Sequence, residues 1–271
     1  MAITTDLSGR QALITGSATG LGASFAVRLA EAGADVILNY TRSQKEAEET
    51  ADLCRSKGAQ VQTVQANVGD NEGCMKLAAA ASAKGSLDIL VNNAGTTKQV
   101  PNHADLSGLE KDDFLNIYSV NVVGPFMMVR ACEALLKAAH EKNGLSASVL
   151  NVSSIAGVTG IGSSVAYAAS KGALNTMTLS LARALSPAIR VNALCPGFIG
   201  TRWFKDTMDE EKYIAFEASV RSATPLQLAS GPDDIAKGAF FLLTDDAAHI
   251  TGETLLVDAG THLGFAPLAA R

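Results

Sequence analysis

The chain is poor in the residues that mark several classes of protein. Among its 271 residues are four cysteines and four histidines, and no two cysteines form a CxxC pair, so neither a zinc site nor a disulfide framework is expected. The net charge of −5 comes without a basic run, which argues against non-specific binding of nucleic acid. The first nine residues lack a signal-peptide pattern, and no apolar run approaches the length of a membrane span. We therefore expect a cytoplasmic protein without metal, nucleic-acid or membrane partners.

What the sequence does contain is an alternation of short β-branched runs with longer alanine-rich segments. Seven runs predict strands, at Gln11–Thr15, Asp35–Asn39, Val61–Ala66, Leu87–Asn92, Ser148–Val152, Ile189–Leu194 and Thr254–Val257. Helices are predicted between them, at Leu21–Ala32, Gln44–Lys57, Gly73–Lys84, Asp112–His140, Ala166–Leu185 and Asp233–Thr244. This order predicts a doubly wound α/β (Rossmann) fold, a seven-stranded parallel sheet with helices on both faces. We expect residues 1–271 to form one domain.

A glycine-rich turn, Thr15–Gly22, lies between the first predicted strand and the first predicted helix. Gly16 permits a tight turn out of the strand, and Gly20 and Gly22 let a pyrophosphate approach the backbone without a Cβ clash. The helix N-terminus then offers N–H donors and a favourable dipole to the phosphates. The spacing is GxxxGxG, so an ordinary glycine-rich turn is the alternative, but its place between strand and helix favours a dinucleotide site.

The end of the second predicted strand indicates which dinucleotide binds. NAD sites usually carry an acid there for the ribose 2′-hydroxyl, whereas an arginine suits a 2′-phosphate. The residues at 39–43 include no acid, and Arg42 and Ser43 could hold a phosphate. The alternative is that Arg42 merely lies at a solvated helix start. NADP(H) is therefore favoured, and NAD(H) stays open.

Tyr167 and Lys171 are four residues apart in a predicted helix, so both side chains leave the same face. A nearby ammonium lowers a phenol pKa, and a change of about three units needs about 4 kcal/mol. Ser154, upstream, could hydrogen-bond a substrate oxygen. The set predicts carbonyl or alcohol chemistry by hydride transfer. A lone Tyr-x-x-x-Lys would normally be a solvated helix pair, and Ser154, Asn121 and the glycine-rich turn favour the catalytic interpretation.

Together these motifs resemble the short-chain dehydrogenase/reductase family, from about Leu7 to about His262, in its branch of carbonyl reductases similar to 3-oxoacyl-carrier-protein reductases. The matching motifs, in family order, are Thr15–Gly22, Asn92–Gly95, Asn121, Ser154, Tyr167 with Lys171, Pro196 with Gly197, Thr201 and Ile250–Gly252. The resemblance implies that Tyr167 is the general acid/base and that Ser154 hydrogen-bonds the substrate oxygen. It also implies that Lys171 lowers the Tyr167 pKa and binds the nicotinamide ribose, and that Asn121 holds a water of a proton relay.

The turn and the resemblance give a set of expected cofactor contacts: Gly16, Ser17, Thr19, Gly20, Leu21, Gly22, Tyr40, Arg42, Ser43, Asn67, Val68, Asn93, Ala94, Gly95, Tyr167, Lys171, Pro196, Gly197, Ile199 and Thr201. Two positions depart from the family pattern. Asn67 stands where an acid usually contacts adenine. Thr19 stands where many NADP-preferring members carry a basic residue, which leaves Arg42 as the main phosphate contact.

Five of the chain's fourteen aromatic residues lie within 198–216, just after Pro196 and Gly197, where the family carries a mobile lid. We expect a lid at about 198–227 and an apolar carbonyl substrate contacted by Ile155, Ile161, Phe198, Trp203 and Phe204. Equally, these rings could pack the lid onto the body or meet a neighbouring subunit. An acidic acyl carrier protein would need a basic docking surface, and no arginine cluster is visible near the mouth of the site.

The sequence therefore favours an NADP(H)-dependent reductase of small ketones, run in reverse as a dehydrogenase of secondary alcohols. The alternatives are an NAD-dependent secondary-alcohol dehydrogenase, a 3-oxoacyl-carrier-protein reductase and, from another class, a non-catalytic nucleotide-binding regulator. The resemblance implies a homotetramer, or a homodimer.

Overall fold

A computed structural model of the chain describes residues 5–206 and 208–264. Seven strands in these residues form one sheet in the order β3-β2-β1-β4-β5-β6-β7. All six pairings are parallel. The strands are β1 Gln11–Ile14, β2 Asp35–Tyr40, β3 Val61–Gln65, β4 Ile89–Asn92, β5 Ala147–Val152, β6 Ile189–Pro196 and β7 Thr254–Val257. The predicted fold class and its seven strands are confirmed.

Helices cover both faces of the sheet. They are α1 Gly20–Glu31, α2 Gln44–Ser56, α3 Asn71–Ser82, α4 Lys111–Tyr118, α5 Gly124–Asn143, α6 Ala156–Thr159, α7 Val165–Leu185, α8 Arg202–Lys205, α9 Glu210–Ala223 and α10 Pro232–Ala239. Single 3₁₀ turns occupy Leu106–Gly108, Phe240–Leu243, Asp245–Ala247 and Thr261–Leu263.

Two apolar cores form because neighbouring strand residues face opposite sides of the sheet. Ile14 packs with Phe25 of α1 and Ile235 of α10 on one face, whereas Leu13 packs with Leu77 of α3 and the α5 side chains on the other. Burial on both faces explains why the central strands β1 and β4 are mostly apolar, whereas β3, at the edge of the sheet, alternates with the exposed Gln62 and Gln65.

The long predicted helix Asp112–His140 is interrupted. A π-helical turn, Ser119–Val123, separates α4 from α5, and Asn121 lies buried inside it. Pro125 occupies the first turn of α5, directly after the π-helical turn. The predicted helix Asp233–Thr244 likewise ends at Ala239 and continues as a 3₁₀ turn.

The stretch Lys111–Asn143 is long and apolar enough, by length and composition, to cross a membrane, which the sequence analysis did not anticipate. One of its faces packs into the core through Met128, Cys132 and Leu136. A core helix of an α/β fold passes the same test of length and composition, and this packing accounts for its apolar character.

The chain order in the sheet reverses between β1 and β4, and such a reversal leaves a crevice at the carboxyl ends of the strands. The glycine-rich turn follows β1 at this edge. Asn93 follows β4, Ser154 lies two residues after β5, and Gly197 follows β6. Four strands thus deliver the predicted motifs to one edge of the sheet.

Candidate active site

The glycine-rich turn is a close-packed junction in which a side chain would not fit. Gly16 has φ +60°, a conformation that strains other residues, and a Cβ there would lie 2.9 Å from the Ala94 Cα. A Cβ on Gly22 would lie 2.5 Å from the Asn93 Nδ2 and 2.6 Å from the Gly16 carbonyl oxygen. The helix therefore starts directly against the end of β4.

Hydrogen bonds join this turn to the segment after β4. The Thr15 hydroxyl accepts from the N–H groups of Asn93 and Ala94 at 2.9 and 3.0 Å. In return, the Asn93 side-chain amide donates to the carbonyl oxygens of Thr15 and Gly16 at 3.0 and 2.9 Å. Asn93 and Ala94, both expected to contact the cofactor, thus also fix the shape of the turn.

The start of α1 fits the pyrophosphate of a dinucleotide. Thr19 precedes the helix without a capping hydrogen bond from its side chain, so the first-turn N–H groups, at Gly20, Leu21 and Gly22, stay available to an anion. Thr201 approaches the turn so closely that a Cβ on Gly20 would lie 3.3 Å from its methyl group. Thr201 therefore lies directly against the glycine-rich turn.

Ser17 does not fit the role expected for it. Its hydroxyl donates to the Ile14 carbonyl at 2.9 Å and accepts from the Asn39 N–H at 2.9 Å, and its own N–H donates to the Asn39 carbonyl at 2.9 Å. All these groups are buried and engaged within the fold, so Ser17 braces the turn against β2 and leaves no donor for a phosphate.

The residues expected on the adenosine side differ in exposure. Tyr40 is buried against Ala18 and Ala47. Arg42 is exposed, and Ser43 immediately precedes α2. Asn67 is exposed and accepts a hydrogen bond from the Gly69 N–H at 3.0 Å. Val68 is buried in the core under α3 and α5, so its side chain supports the site from beneath.

Lys171 and Tyr167 lie together on α7, as the spacing predicted. The Lys171 ammonium is 5.6 Å from the centre of the Tyr167 ring and donates to the Val152 carbonyl at 2.8 Å. A Cβ on Gly95 would lie 3.8 Å from this ammonium and 3.5 Å from the Asn121 Oδ1. Gly95 therefore lies close to both the Lys171 ammonium and the Asn121 side chain.

Asn121 is held on three sides. Its amide donates to the Thr96 carbonyl at 2.9 Å and to the Ser170 hydroxyl at 3.1 Å, and its Oδ1 accepts from the Thr96 N–H at 2.8 Å. The side chain thereby ties the segment after β4 to α7. Because the π-helical turn adds a residue to the helix, it is what aims this amide at both partners.

Ser154, and not Ser153, faces Tyr167. Ser153 is buried and donates to the Lys171 carbonyl at 3.1 Å. Ser154 is partly exposed, accepts from the Ala156 N–H at 3.1 Å, and lies near enough to the Tyr167 hydroxyl to lower its pKa. Of the two neighbouring serines, only Ser154 has its hydroxyl within the site.

Burial dominates the proton equilibria of the pair. Although Tyr167 keeps some contact with solvent, desolvation raises its pKa to about 12, and the Ser154 hydroxyl offsets this only in part. Desolvation also lowers the pKa of Lys171 to about 8. The expected lowering of the Tyr167 pKa is therefore wrong for the protein alone, because loss of hydration has the largest effect on it.

The rings of the segment expected to form a lid fall into two groups. Phe198, Phe204 and Phe216 pack on one another with centroids 5.1 to 5.6 Å apart. Trp203 instead lies 6.2 Å from the Tyr167 ring. Of the expected substrate contacts, Trp203 thus lies beside the phenol, whereas Phe198 and Phe204 pack within their own segment.

The remaining predicted residues line the edges of the site. Ile155 is partly buried next to Ser154, and Ile161 is 71% exposed at the outer rim. Pro196 ends β6 in the core, and Gly197 packs so closely on Asp258 that a Cβ would lie 2.8 Å from it. Ile199 is partly buried and packs against the core.

Comparison with known proteins agrees with this geometry. The sequence model of the family described as enoyl-(acyl carrier protein) reductase matches residues 16–262. A solved structure assigned as a short-chain dehydrogenase/reductase, from Burkholderia xenovorans, is 38% identical, covers 97% of this chain and 100% of its own, and has a TM-score of 0.85. The chain belongs to the short-chain dehydrogenase/reductase family. It is thus an oxidoreductase of a family that uses NAD(P)(H).

Two further relatives of this short-chain dehydrogenase/reductase bear on its chemistry. A protein assigned as a ketoacyl reductase of the granaticin polyketide synthase, from Streptomyces violaceoruber, is 39% identical over 93% of this chain and 96% of its own length. The structure of Pseudomonas aeruginosa RhlG in its NADP active-site complex is 29% identical, covers 97% of this chain and 100% of that chain, and has a TM-score of 0.86.

Sequence reasoning missed two contributors to this short-chain dehydrogenase/reductase site. Asn39 accepts from the Gly16 N–H at 3.0 Å and donates to the Ala66 carbonyl at 2.9 Å, so it links the turn to β3. An asparagine in an otherwise apolar buried strand is the signal that could have revealed it. The Val152 carbonyl, which anchors Lys171, carries no signal in the sequence because every residue has a carbonyl.

Proposed function

We propose that the protein transfers a hydride between NADP(H) and a small ketone or secondary alcohol, with Tyr167 as general acid/base. The observation that carries this proposal is the convergence of Ser154, Tyr167 and Lys171 beside a turn shaped for a dinucleotide. The nicotinamide, when bound, supplies or accepts the hydride. The side chains of the protein must then move a proton and stabilise charge at the substrate oxygen.

Tyr167 and Ser154 act on that oxygen. During reduction, negative charge builds on the carbonyl oxygen, and the neutral Tyr167 hydroxyl gives it a proton. The Ser154 oxygen accepts the Ala156 N–H at 3.1 Å, which occupies a lone pair and leaves the hydroxyl hydrogen free to donate to the substrate oxygen. This placed donor stabilises the developing charge. Alcohol oxidation uses the same groups in reverse.

Lys171 and Asn121 support the phenol. One ammonium hydrogen of Lys171 binds the Val152 carbonyl, which leaves two donors for the hydroxyl groups of a ribose. A cation so near the ring stabilises the phenolate relative to a site without it. Asn121 fixes the segment that carries Gly95, and we propose that it orders water between Lys171 and solvent.

NADP(H) is proposed over NAD(H) because Arg42 is exposed at the end of β2 and no acid occupies residues 39–43. The solved NADP complex of RhlG supports this choice. If NADH proves the better cofactor, the protein is instead an NAD-dependent alcohol dehydrogenase. Trp203 beside Tyr167 supports an apolar ketone as the second substrate.

A second candidate function is reduction of a 3-oxoacyl group held as a thioester. The observation in its favour is the 39% identical relative assigned as a ketoacyl reductase. A small ketone and a 3-oxoacyl thioester share the reacting carbonyl, so the two candidates differ only in what the rest of the pocket binds.

We further propose one catalytic domain with a lid at 198–227, of which residue 207 lies outside the described residues, and a homotetramer or homodimer. Exposed Leu115, Val123 and Phe126 on α4, the π turn and α5 support assembly. Four free, buried cysteines support a cytoplasmic location. Light scattering of the purified protein gives the assembly state.

The test is turnover of a carbonyl and alcohol panel, including 3-oxoacyl thioesters, with each nicotinamide and with Tyr167→Phe. We expect Tyr167→Phe to lower kcat by about a thousandfold while the cofactor still binds, because general acid–base catalysis contributes factors of this size. Tyr118→Phe on α4 is the matched control and should keep full activity. Activity retained by Tyr167→Phe would overturn the mechanism, and a folded wild type without turnover on the panel would point to the non-catalytic regulator.

A further inference from the structure

An ion pair joins the lid to the far side of the proposed cofactor groove. Arg202 is the first residue of α8, and its Nη1 lies 2.7 Å from the Oε1 of Glu46 in the first turn of α2. Its neighbour Thr201 lies directly against Gly20 in the glycine-rich turn. The proposed lid therefore contacts the start of α1 through Thr201 and the start of α2 through Arg202.

This contact places a second arginine where a 2′-phosphate is expected. The start of α2 directly follows the end of β2, the position at which Rossmann folds distinguish the ribose 2′-hydroxyl from its phosphate. Arg42 is exposed there, and among the described residues no carboxylate pairs with it. The glycine-rich turn offers threonine at position 19, where a cation would otherwise help. Arg202 brings a cation to this region from the lid.

The geometry leaves Arg202 able to bind an anion. The guanidinium has five N–H donors in a planar fork, and its one described hydrogen bond, to Glu46, uses Nη1 alone. The side chain remains 55% exposed. Glu46, a carboxylate at the start of α2, would repel a phosphate if it stood alone, and the arginine beside it balances that charge and fixes the direction of the fork.

We propose that Arg202 is a phosphate-binding residue of the cofactor site, which donates from the lid to the 2′-phosphate of NADP(H) together with Arg42. Glu46 is its positioning residue. This inference rests on the proposed use of NADP(H). On this proposal, discrimination between NADPH and NADH depends partly on the lid, because Arg202 contacts the 2′-phosphate only when the lid lies over the cofactor.

The test is binding, measured by titration calorimetry without turnover, of NADPH, NADH and the fragments adenosine 2′,5′-bisphosphate and 5′-AMP. We expect Arg202→Gln to weaken the binding of NADPH and of the 2′-phosphate fragment about tenfold, because hydrogen bonds between charged groups are strong. The affinities for NADH and 5′-AMP should change less than about twofold. Arg202→Lys should recover part of the loss. Arg221→Gln is the matched control, because Arg221 is also an exposed, ion-paired arginine of the lid.

Two results would overturn the assignment to Arg202. An equal loss of affinity for all four ligands would mean that Arg202 only holds the proposed lid in place. An unchanged affinity for all four would mean that its ion pair with Glu46 is only a surface contact. Failure of the underlying cofactor proposal is distinguishable, because wild-type protein would then bind NADH at least as tightly as NADPH. Unchanged circular dichroism and melting temperature establish that each variant is folded.

Discussion

Replacing Lys171 by methionine should stabilise the fold while it abolishes activity. Burial lowers the Lys171 pKa from its ordinary 10.5 to about 8, so the folded protein holds this cation at a cost of about 3 kcal/mol at pH 7, since each pKa unit is worth about 1.4 kcal/mol. Methionine removes the charge and keeps a similar length. It leaves the Val152 carbonyl without its donor, which costs about 1 kcal/mol. The expected net gain is about 2 kcal/mol at pH 7.

The sign of the pH dependence follows from linkage. Between about pH 8 and 10.5 the unfolded chain binds a proton at Lys171 that the folded chain has lost, so wild-type stability rises with pH across this window. Methionine has no such proton, and the advantage of Lys171→Met should therefore shrink as the pH rises. At pH 10 the cost to the wild type falls below about 1 kcal/mol, and the two proteins become nearly equal in stability.

Urea denaturation of both proteins at pH 7 and pH 10, at one protein concentration, measures this difference. Contributions from the thiols of Cys54, Cys74 and Cys132 cancel, because both proteins carry them and Lys171 does not act on them. The Cys195 contribution does not cancel, because the Lys171 charge lowers the Cys195 pKa. Lys137→Met, which removes an exposed lysine paired with Glu133, is the control and should change stability by less than about 0.5 kcal/mol at either pH. If Lys171→Met is less stable than wild type at pH 7, or its advantage is the same at both pH values, desolvation does not dominate the site.

Three further predictions concern the turn and the pH profile. Gly22→Ala should destabilise the protein by about 2 kcal/mol or more and weaken cofactor binding, because its Cβ would lie 2.5 Å from the Asn93 amide; thermal melts and calorimetry check this. Ser17→Ala should cost about 1 to 2 kcal/mol of stability but leave the cofactor Kd within twofold, and a larger change in Kd without loss of stability would contradict the bracing role. The pH profile of kcat/KM for ketone reduction should fall as the pH rises through about 8, where Lys171 loses its charge, and a profile flat to pH 10 would contradict that role.

The fold could be predicted from the sequence because the patterns that indicate it are local. Apolar strands, glycine at the turn and the spacing of Tyr167 and Lys171 each follow from residues near one another in the chain. The π-helical turn at Asn121 could not be predicted, since the apolar pattern continues through it and the hydrogen-bond partners of Asn121, Thr96 and Ser170, lie far from it in the chain. Helix α9 was also missed, because only Tyr213 of its fourteen residues is buried and no apolar periodicity marks it.

The electrostatics of the site could not be predicted for a different reason. Sequence spacing indicates that Lys171 is near Tyr167, but the effect of a charge depends on how much water both groups lose, which only the folded structure fixes. The same holds for Ser17, whose place in the motif suggests a phosphate contact, while its hydrogen bonds to Ile14 and Asn39 commit it to the fold. Motif position therefore identifies a neighbourhood, and burial decides the role within it.

A raised phenol pKa and a lowered ammonium pKa have a joint consequence for the direction of catalysis. With its pKa at about 12, Tyr167 holds its proton throughout the neutral range, which is the state that reduction requires of a general acid. Oxidation requires the phenolate first, and burial opposes its formation. The protonated state of Tyr167 thus suits the reductive step. Lys171 is charged only below about pH 8, and in that range its charge stabilises the phenolate that remains after the proton is transferred. We therefore expect alcohol oxidation to need a higher pH than ketone reduction, because the phenolate that oxidation requires forms only at high pH.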